Sequence, residues 1–144
     1  MKNSEWKTVI DVNLTGTFNF SKLVIPIMTT QKFGRIINIS SFTAFMGVPG
    51  ASNYAASKAG VVALTKSLAK EVAKYGITVN SIAPGYFDIG MFHDFDIATK
   101  KKLQSQIPAR RLGQSNEITE LIKLINDSSY LTGQIFTLDG GLSA

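Results

Sequence analysis

The amino-acid sequence predicts an α/β fold in which a parallel sheet carries helices on both faces. Segments with helical spacing of apolar residues alternate with short β-branched runs, in the order helix, strand, helix, strand, helix, strand. Hydrophobic residues make up 44% of the 144 residues and charged residues 17%. This balance is typical of a globular domain and excludes a disordered tail.

The first predicted helix begins after Ser4 and ends between residues 28 and 30. Ser4 is a suitable N-cap residue, and Glu5 adds negative charge to the first turn, where the helix dipole favours it. We expect Pro26 to kink or fray the last turns. Apolar residues recur along this segment at helical spacing: Trp6, Val9, Ile10, Leu14, Phe18 and Leu23.

The middle of the chain predicts a strand, a loop and a long helix. Residues 35–40 (RIINIS) form a short β-branched run that indicates a buried strand. A turn at Pro49-Gly50 precedes a helix over residues 54–74, with Ser52 or Asn53 as its N-cap. Gly76 is a suitable residue to end this helix.

The remaining segments predict two more strands around a third long helix. Strands are expected over residues 78–82 and 135–138, and a helix from residue 115 or 116 to about residue 126. Residues 86–107 form an aromatic-bearing loop with a short helix. Three strands make a thin sheet in which the 35–40 strand lacks a neighbour, so we expect an exposed apolar edge that favours association.

Charge and composition narrow the classes of function. The absence of cysteine excludes disulfides and thiol nucleophiles. His93 is the single histidine, so we expect no metal site and interpret His93 as a lid or surface residue. The uncharged run over residues 36–57 contains too many polar and helix-breaking residues for a membrane span. No signal peptide precedes it, so the sequence predicts a cytoplasmic protein without membrane contact.

The net charge of +5 is modest and favours acidic ligands only weakly. Lysines recur at helical spacing at Lys66, Lys70 and Lys74, and a second cluster occupies residues 100–102. Such rows are ordinarily solvated helix faces, and no aromatic-basic platform accompanies them. We therefore expect no nucleic-acid partner.

A tyrosine and a lysine four residues apart form the candidate chemical centre. Tyr54 and Lys58 share a helix face, where the ammonium stabilises the phenolate form, so that the tyrosine can act as a general acid or base toward a carbonyl or alcohol. Alone this spacing is more typical of an amphipathic helix with a solvated lysine. Ser41 follows the 35–40 strand and can hydrogen-bond the same substrate oxygen.

Asn13 lies on the helix face that carries Trp6 and Ile10. A buried amide on an apolar face needs a partner, since an unsatisfied one costs about 1–3 kcal/mol. One interpretation is a hydrogen bond that packs two helices together. The other is an amide that orders a water molecule next to Lys58.

With these residues in place, the chain resembles the short-chain dehydrogenase/reductase family, in its 3-oxoacyl-[acyl-carrier-protein] reductase-like branch. The resemblance rests on six stretches in the family's order: VNLTGTF (12–18), GRIINISS (34–41), NYAASKAG (53–60), GITVNSIAPG (76–85), RLGQSNEI (111–118) and YLTGQIFTLDGG (130–141). It implies a Rossmann-type doubly wound sheet and NADP- or NAD-dependent reduction of a carbonyl, a 3-oxoacyl thioester or similar ketone. Found together in this order, the six stretches are very specific for this family.

The resemblance also implies roles for individual residues. Tyr54 is expected to donate the proton, and Lys58 to bind the nicotinamide ribose and support Tyr54. Ser41 is expected to orient the carbonyl, and Asn13 to support a water-based proton relay. The turn at Pro84-Gly85 and the backbone after it, including Phe87, are expected to hold the nicotinamide ring. Residues 86–107 would form a substrate lid with an apolar wall of Phe87, Phe92 and Phe95, although such aromatics are more often core residues.

One family element is missing from the sequence. The glycine-rich turn that cradles a dinucleotide pyrophosphate has no counterpart, since no two glycines stand two residues apart. Residues 1–144 are therefore expected to be the C-terminal catalytic portion of a single Rossmann domain, truncated on its N-terminal side. Two hypotheses follow: a reductase completed by an N-terminal half or a second copy, or a catalytically silent remnant that acts as an oligomerisation or interaction module.

Overall fold

The computed structural model describes residues 1–90 and 94–144, and its centre is a sheet of three parallel strands. The strands are β1 (Gly34–Ile39), β2 (Ile77–Pro84) and β3 (Ile135–Leu138), in the spatial order β1-β2-β3. Arg35 of β1 lies opposite Thr78 of β2, and Ile82 lies opposite Phe136 of β3. The predicted strands and their parallel order are confirmed.

Helices connect the strands and precede the sheet. Within the described ranges the α-helices are α1 (Asn3–Ile10), α2 (Gly16–Gln31), α3 (Ser52–Val72), α4 (Ile97–Gln106) and α5 (Ser115–Asp127). None of the helices in these ranges is long and apolar enough to cross a membrane. The short helix α4 lies in the segment that the sequence predicts as a lid.

Helices α1 and α2 are joined by a π-helical turn over Asp11–Thr15, which the periodicity did not predict. The predicted cap was wrong, because the helix already begins at Asn3 and Ser4 lies inside it. The Lys2 amide instead donates to the Glu5 carboxylate at 2.7 Å, which satisfies an otherwise unpaired group. The helix continues past Pro26 to Gln31.

The starts of α3 and α5 also differ from the predicted caps. Helix α3 begins at Ser52 after Ala51, and the Asn53 side chain accepts from the Tyr54 amide at 2.8 Å. Helix α5 begins after Gln114, whose amide donates to the Glu117 carboxylate at 2.8 Å. In α5 a carboxylate in the first turn thus replaces the hydroxyl or amide cap that the sequence suggested.

The principal core lies between one face of the sheet and helices α2 and α3. Its members are Ile36, Leu68, Ala69, Val72, Ile77 and Val79, with Val24, Ile25, Met28 and Leu64 packed against them. Side chains alternate along a strand, so Arg35 points to the opposite face from Ile36. Its Nε donates to the Asn126 carbonyl at the end of α5, at 3.0 Å. Helices therefore cover both faces, as predicted.

The free edge of β1 borders an open groove. Strand β1 pairs with β2 alone within the described residues, which confirms the predicted exposed edge. A groove of about 600 Å³ runs between this edge and α2, and Asn13, Phe20, Val24 and Lys58 are among its lining residues. The groove brings backbone groups and apolar side chains to the surface together.

Gly76 offers a test of the connection into β2. Its φ is +75°, and a Cβ added there would lie 2.5 Å from the Lys32 carbonyl oxygen. We expect Gly76→Ala to lower the free energy of unfolding by about 1–3 kcal/mol, because left-handed strain and overpacking add. The matched variant Gly47→Ala meets nothing within 4 Å. It should change that free energy by less than about 0.5 kcal/mol in urea unfolding, and equal losses would contradict the assignment.

Candidate active site

A cavity of about 390 Å³ lies at the carboxyl ends of β1 and β2, the edge at which open parallel sheets bind ligands. Five of the residues predicted from the sequence line it: Ser41, Tyr54, Lys58, Pro84 and Gly85. The other lining residues are Ile39, Ser40, Phe42, Thr43, Val48 and Tyr86. The fold therefore brings the hydroxyl, phenol and ammonium groups to one cavity.

Tyr54 and Lys58 are held by the first turns of α3. The Lys58 Nζ lies 5.6 Å from the centroid of the Tyr54 ring and donates to the Ile39 carbonyl at 2.8 Å. Tyr54 is 37% exposed and lines the cavity. Burial lowers the pKa of Lys58 below its ordinary value, because the charged form loses water.

Two adjacent serines fix the end of β1 against α3. The Ser40 hydroxyl donates to the Lys58 carbonyl at 2.9 Å, and the Ser40 amide donates to the Ile82 carbonyl at 2.7 Å. Ser41 is buried, and its oxygen accepts from the Thr43 amide at 3.2 Å. A hydroxyl that accepts one bond still has its own proton to donate. Ser41 can therefore donate to a substrate oxygen in the cavity.

Asn13 lies in the π-helical turn and contacts α3. Its side-chain nitrogen donates to the Ser57 hydroxyl at 3.1 Å, and that hydroxyl donates to the Tyr54 carbonyl at 2.7 Å. The helix-packing hydrogen bond that the sequence allowed is therefore present. Asn13 lines the groove beside β1 rather than the 390 Å³ cavity, and Lys58 lines both. The role of Asn13 in a water-based proton relay stays a prediction.

Of the aromatic residues predicted for the lid, Phe87 and Phe95 differ in their exposure. Phe87 is 4% exposed, packs against Gly113 and does not line the cavity, so its side chain is a core residue. The bridge between these two residues uses the Tyr86 carbonyl and the Asp88 amide, and leaves the Phe87 backbone groups outside those two bonds. Phe95 is 37% exposed. Phe92 and His93 lie outside the described residues.

Sequence reasoning missed Ser40 and Ser57, the two hydroxyls that position Lys58 and Asn13. Each stands next to a predicted site residue, which is the one signal that could have found them. It also missed the edge-to-face contact of Phe42 and Tyr86, whose ring centroids are 5.0 Å apart. Tyr86 directly follows the Pro84-Gly85 turn, so its place in the cavity wall could have been predicted. Residues 1–90 and 94–144 bring no three His, Cys, Asp or Glu side chains together as a metal site.

This geometry is that of an α/β protein with a serine, a tyrosine and a lysine at the carboxyl end of its sheet. Comparisons with known proteins show the family to which the chain belongs. The family model described as Enoyl-(Acyl carrier protein) reductase matches residues 1–143. The chain belongs to the short-chain dehydrogenase/reductase family, and within it is similar to 3-oxoacyl-[acyl-carrier-protein] reductases.

Individual relatives show what share of their length this chain covers. The 3-oxoacyl-[acyl-carrier-protein] reductase of Thermotoga maritima is 43% identical over 144 residues, which are 99% of this chain and 58% of that protein. The Synechocystis enzyme of that name is 43% identical over 145 residues, with the same shares. The crystal structure of the Brucella melitensis reductase superposes with a TM-score of 0.94 at 35% identity, over 100% of this chain and 55% of that one. The chain thus spans little more than half the length of these relatives and matches their C-terminal portion.

The burial of Lys58 predicts a lowered pKa that a titration can measure. Its ammonium should lose its proton below the ordinary pKa of 10.5, as followed by NMR of the lysine side-chain carbons. Because the unfolded chain then holds more protons than the folded chain, the free energy of unfolding should rise with pH between the folded-state pKa and 10.5. The Lys58 signal is assigned by comparison with the Lys58→Arg variant, in which it is absent. A midpoint at or above 10.5 would show that Lys58 is solvated.

Proposed function

We propose that residues 1–144 are the C-terminal catalytic portion of an NAD(P)-dependent oxidoreductase that reduces a carbonyl to an alcohol. The observation that carries this proposal is the convergence of Ser41, Tyr54 and Lys58 on one cavity at the end of the sheet. The relatives are named as 3-oxoacyl-[acyl-carrier-protein] reductases. A 3-oxoacyl thioester or a similar ketone is therefore the substrate class that we propose for this chain.

The donor set of the cavity fits the nicotinamide end of NADP or NAD. The Lys58 ammonium would hydrogen-bond the ribose hydroxyls together with Tyr54, and the Pro84-Gly85 turn would hold the ring, whereas Phe87 lies outside the lining of this cavity. A volume of about 390 Å³ is within the range of small-molecule sites. When bound, the cofactor supplies the hydride. The groups that would distinguish NADP from NAD are those that would contact the adenosine end of the cofactor.

The chain's own residues would handle the proton. Ser41 and Tyr54 donate hydrogen bonds to the carbonyl oxygen and so orient it. As the carbonyl carbon is reduced, the developing alkoxide takes the phenol proton of Tyr54. The Lys58 ammonium, 5.6 Å from the ring centroid, stabilises the resulting phenolate. General acid catalysis of this kind contributes about 10²–10⁴ in rate.

Asn13 would act at a distance from the substrate. It lines the groove that Lys58 also reaches, so a water molecule held there could return a proton toward Tyr54 through the lysine. Its side-chain amide donates to Ser57, which fixes the π-helical turn against α3. We propose this relay role on that geometry.

The groove beside β1 suggests how the reductase is completed. Relatives that align with 99% of this chain are longer, and the alignment covers 58% of their length. We propose that a complementing N-terminal portion occupies the groove and supplies the phosphate-binding turn that this sequence lacks. A homo-oligomer would then assemble from the completed unit.

Activity can be tested in a fusion that restores the full length. The N-terminal portion of the Thermotoga maritima relative is joined to the start of this chain, and NADPH or NADH oxidation is followed with an acetoacetyl thioester. We expect turnover in the fusion and none from the chain alone. Tyr54→Phe should lower kcat by at least about 10²-fold, because it removes the proton donor.

Tyr130→Phe is the matched control, since Tyr130 is 99% exposed. It should leave kcat within about twofold. Full turnover by the Tyr54→Phe fusion would overturn the proton-donor role. A fusion that folds, binds the cofactor by nicotinamide fluorescence and reduces no ketone would overturn the proposed reaction.

A second candidate function, an interaction module, is favoured by the surface of α2. Phe20 is 74% exposed, Leu23 69% and Ile27 60%, so one side of this helix presents a strip of large apolar side chains. Strips of this kind mark association surfaces. The catalytic residues would then be silent, and the chain would pair with a second copy or a longer relative.

Light scattering tests the association directly. We expect the chain to elute as a dimer or larger species, and Leu23→Glu to shift it toward monomer by placing a charge in the apolar strip. The neighbouring Lys22→Glu introduces the same carboxylate outside the strip, with a larger change in net charge, and should leave the mass unchanged. A well-folded monomer for the unaltered chain would reject the module.

A further inference from the structure

A cleft of about 410 Å³ lies between α3 and the turn that leads into β3. It shares no lining residue with the catalytic cavity or with the groove beside β1. Its polar lining residues are Lys66, Lys70, Thr132 and Gln134, and the rest of its lining is alanine and glycine. The mechanism above uses none of these residues, so the cleft, here called the lysine cleft, is a separate place on the molecule.

The lysine cleft divides the row of lysines that the sequence shows near the end of α3. Lys66 and Lys70 line it, whereas the Nζ of Lys74 lies 5.0 Å from the centroid of the neighbouring tyrosine ring. Within the part of the chain that the structure describes, the side chains of Lys66 and Lys70 make no ion pair or hydrogen bond. Like charges four residues apart on a helix repel each other, so an anion beside both would be stabilising.

The turn on the other side of the cleft is fixed by β2. Asn80 is buried, and its side-chain nitrogen donates to the Leu131 carbonyl at 2.8 Å, while its oxygen accepts from the Gln134 amide at 3.0 Å. The Val79 amide donates to the Thr132 hydroxyl at 3.1 Å. The polar side chains of this turn are therefore positioned by bonds to the sheet, without any ligand.

These side chains still have protons to donate. The Thr132 hydroxyl accepts from the Val79 amide, so its own proton is available. The Gln134 Nε2 carries two protons and donates one of them to the Thr132 carbonyl at 3.2 Å. With the two ammonium groups, the cleft presents donors from a helix and from a turn, and its lining contains no carboxylate. Phosphate oxygens match this donor set, because they carry negative charge and accept several hydrogen bonds.

We propose that the lysine cleft binds a small ligand through a phosphate or diphosphate group, held between Lys66, Lys70 and the turn over residues 131–134. The site lies at the amino end of β3, whereas the catalytic cavity lies at the carboxyl ends of β1 and β2. The proposal is therefore independent of the reaction proposed above. A volume of about 410 Å³ is within the range of small-molecule sites, so the ligand can carry an organic group beside its anion.

A solvated helix face is the competing interpretation of the lysine row. Lysines near the carboxyl end of a helix complement its dipole without any ligand. Under that interpretation, Lys70 and Lys74 would attract an anion about equally, through their charge alone. The lysine cleft predicts a difference between them, because Lys70 lines the cleft and Lys74 does not.

The test is a titration of the 144-residue chain with inorganic pyrophosphate at about 0.15 M salt, where charges at a distance are screened. We expect the Gly133 and Gln134 amide signals and the Lys66 and Lys70 side-chain signals in NMR spectra to shift with one common dissociation constant. The Ser41 amide, in the catalytic cavity, should not respond.

ADP carries the same diphosphate on an organic group and distinguishes two sources of the anion. Tighter binding of ADP than of pyrophosphate, at the same signals, would support a site for a phosphorylated organic molecule. Equal binding would support a site for the inorganic anion itself.

Variants locate the contact. Lys70→Gln should raise the dissociation constant of pyrophosphate at least about fivefold, because a charge-assisted hydrogen bond is lost. Lys74→Gln is the matched control, since it removes the same charge one helical turn further along the chain, and it should change the constant by less than about twofold. Should Lys70→Gln disturb the amide spectrum, Lys66→Gln carries the same expectation from the preceding turn of α3.

Equal weakening by Lys70→Gln and Lys74→Gln would overturn the proposal, because overall positive charge would then explain the binding. Shifts confined to Lys58 or to residues 100–102 would also overturn it by locating the anion elsewhere. The readout involves no hydride transfer, so its outcome does not depend on whether a completed reductase turns over a ketone.

Discussion

The hydrogen bond from the Lys58 Nζ to the Ile39 carbonyl is the contact on which the site depends. It joins the first turns of α3 to the last residue of β1 at 2.8 Å and thereby places the ammonium beside the Tyr54 ring. The Ser40 hydroxyl strengthens the same junction by donating to the Lys58 carbonyl. Helix and strand are fixed to each other at the position where the candidate acid needs its neighbouring cation.

Holding the Lys58 ammonium in this position costs electrostatic free energy. Burial removes water from the Lys58 ammonium and lowers its pKa, while the Ile39 carbonyl and the face of the Tyr54 ring partly replace that water. Lys58 also lines the groove beside β1. A segment that covers the groove would remove more water from the ammonium, so completion of the sheet and the electrostatics of the cavity are physically coupled.

Periodicity and turn residues were sufficient to predict the strands, their parallel order and the open edge of β1. Local spacing was also sufficient to place Tyr54 and Lys58 on one helix face, because i, i+4 residues share a face whatever surrounds them. It could not predict the π-helical turn at Asn13, since Ile10, Leu14 and Phe18 keep the i, i+4 spacing of an ordinary α-helix across that turn. Nor could it place Phe87, whose core position depends on a bridge to Gly113, distant in sequence.

The walls of the candidate cavity come from three short stretches of this chain: the end of β1 with its loop, the start of α3, and the turn after β2. Backbone and hydroxyl contacts inside the chain connect the first two, through Ile39, Ser40 and Lys58. The Tyr54 phenol and the Lys58 ammonium are therefore positioned by contacts within this chain. What an added segment can change is the groove side of Lys58, where the site is open to solvent. Under the proposed function, this chain would therefore supply the candidate proton-handling residues, and the added segment would complete the dinucleotide site.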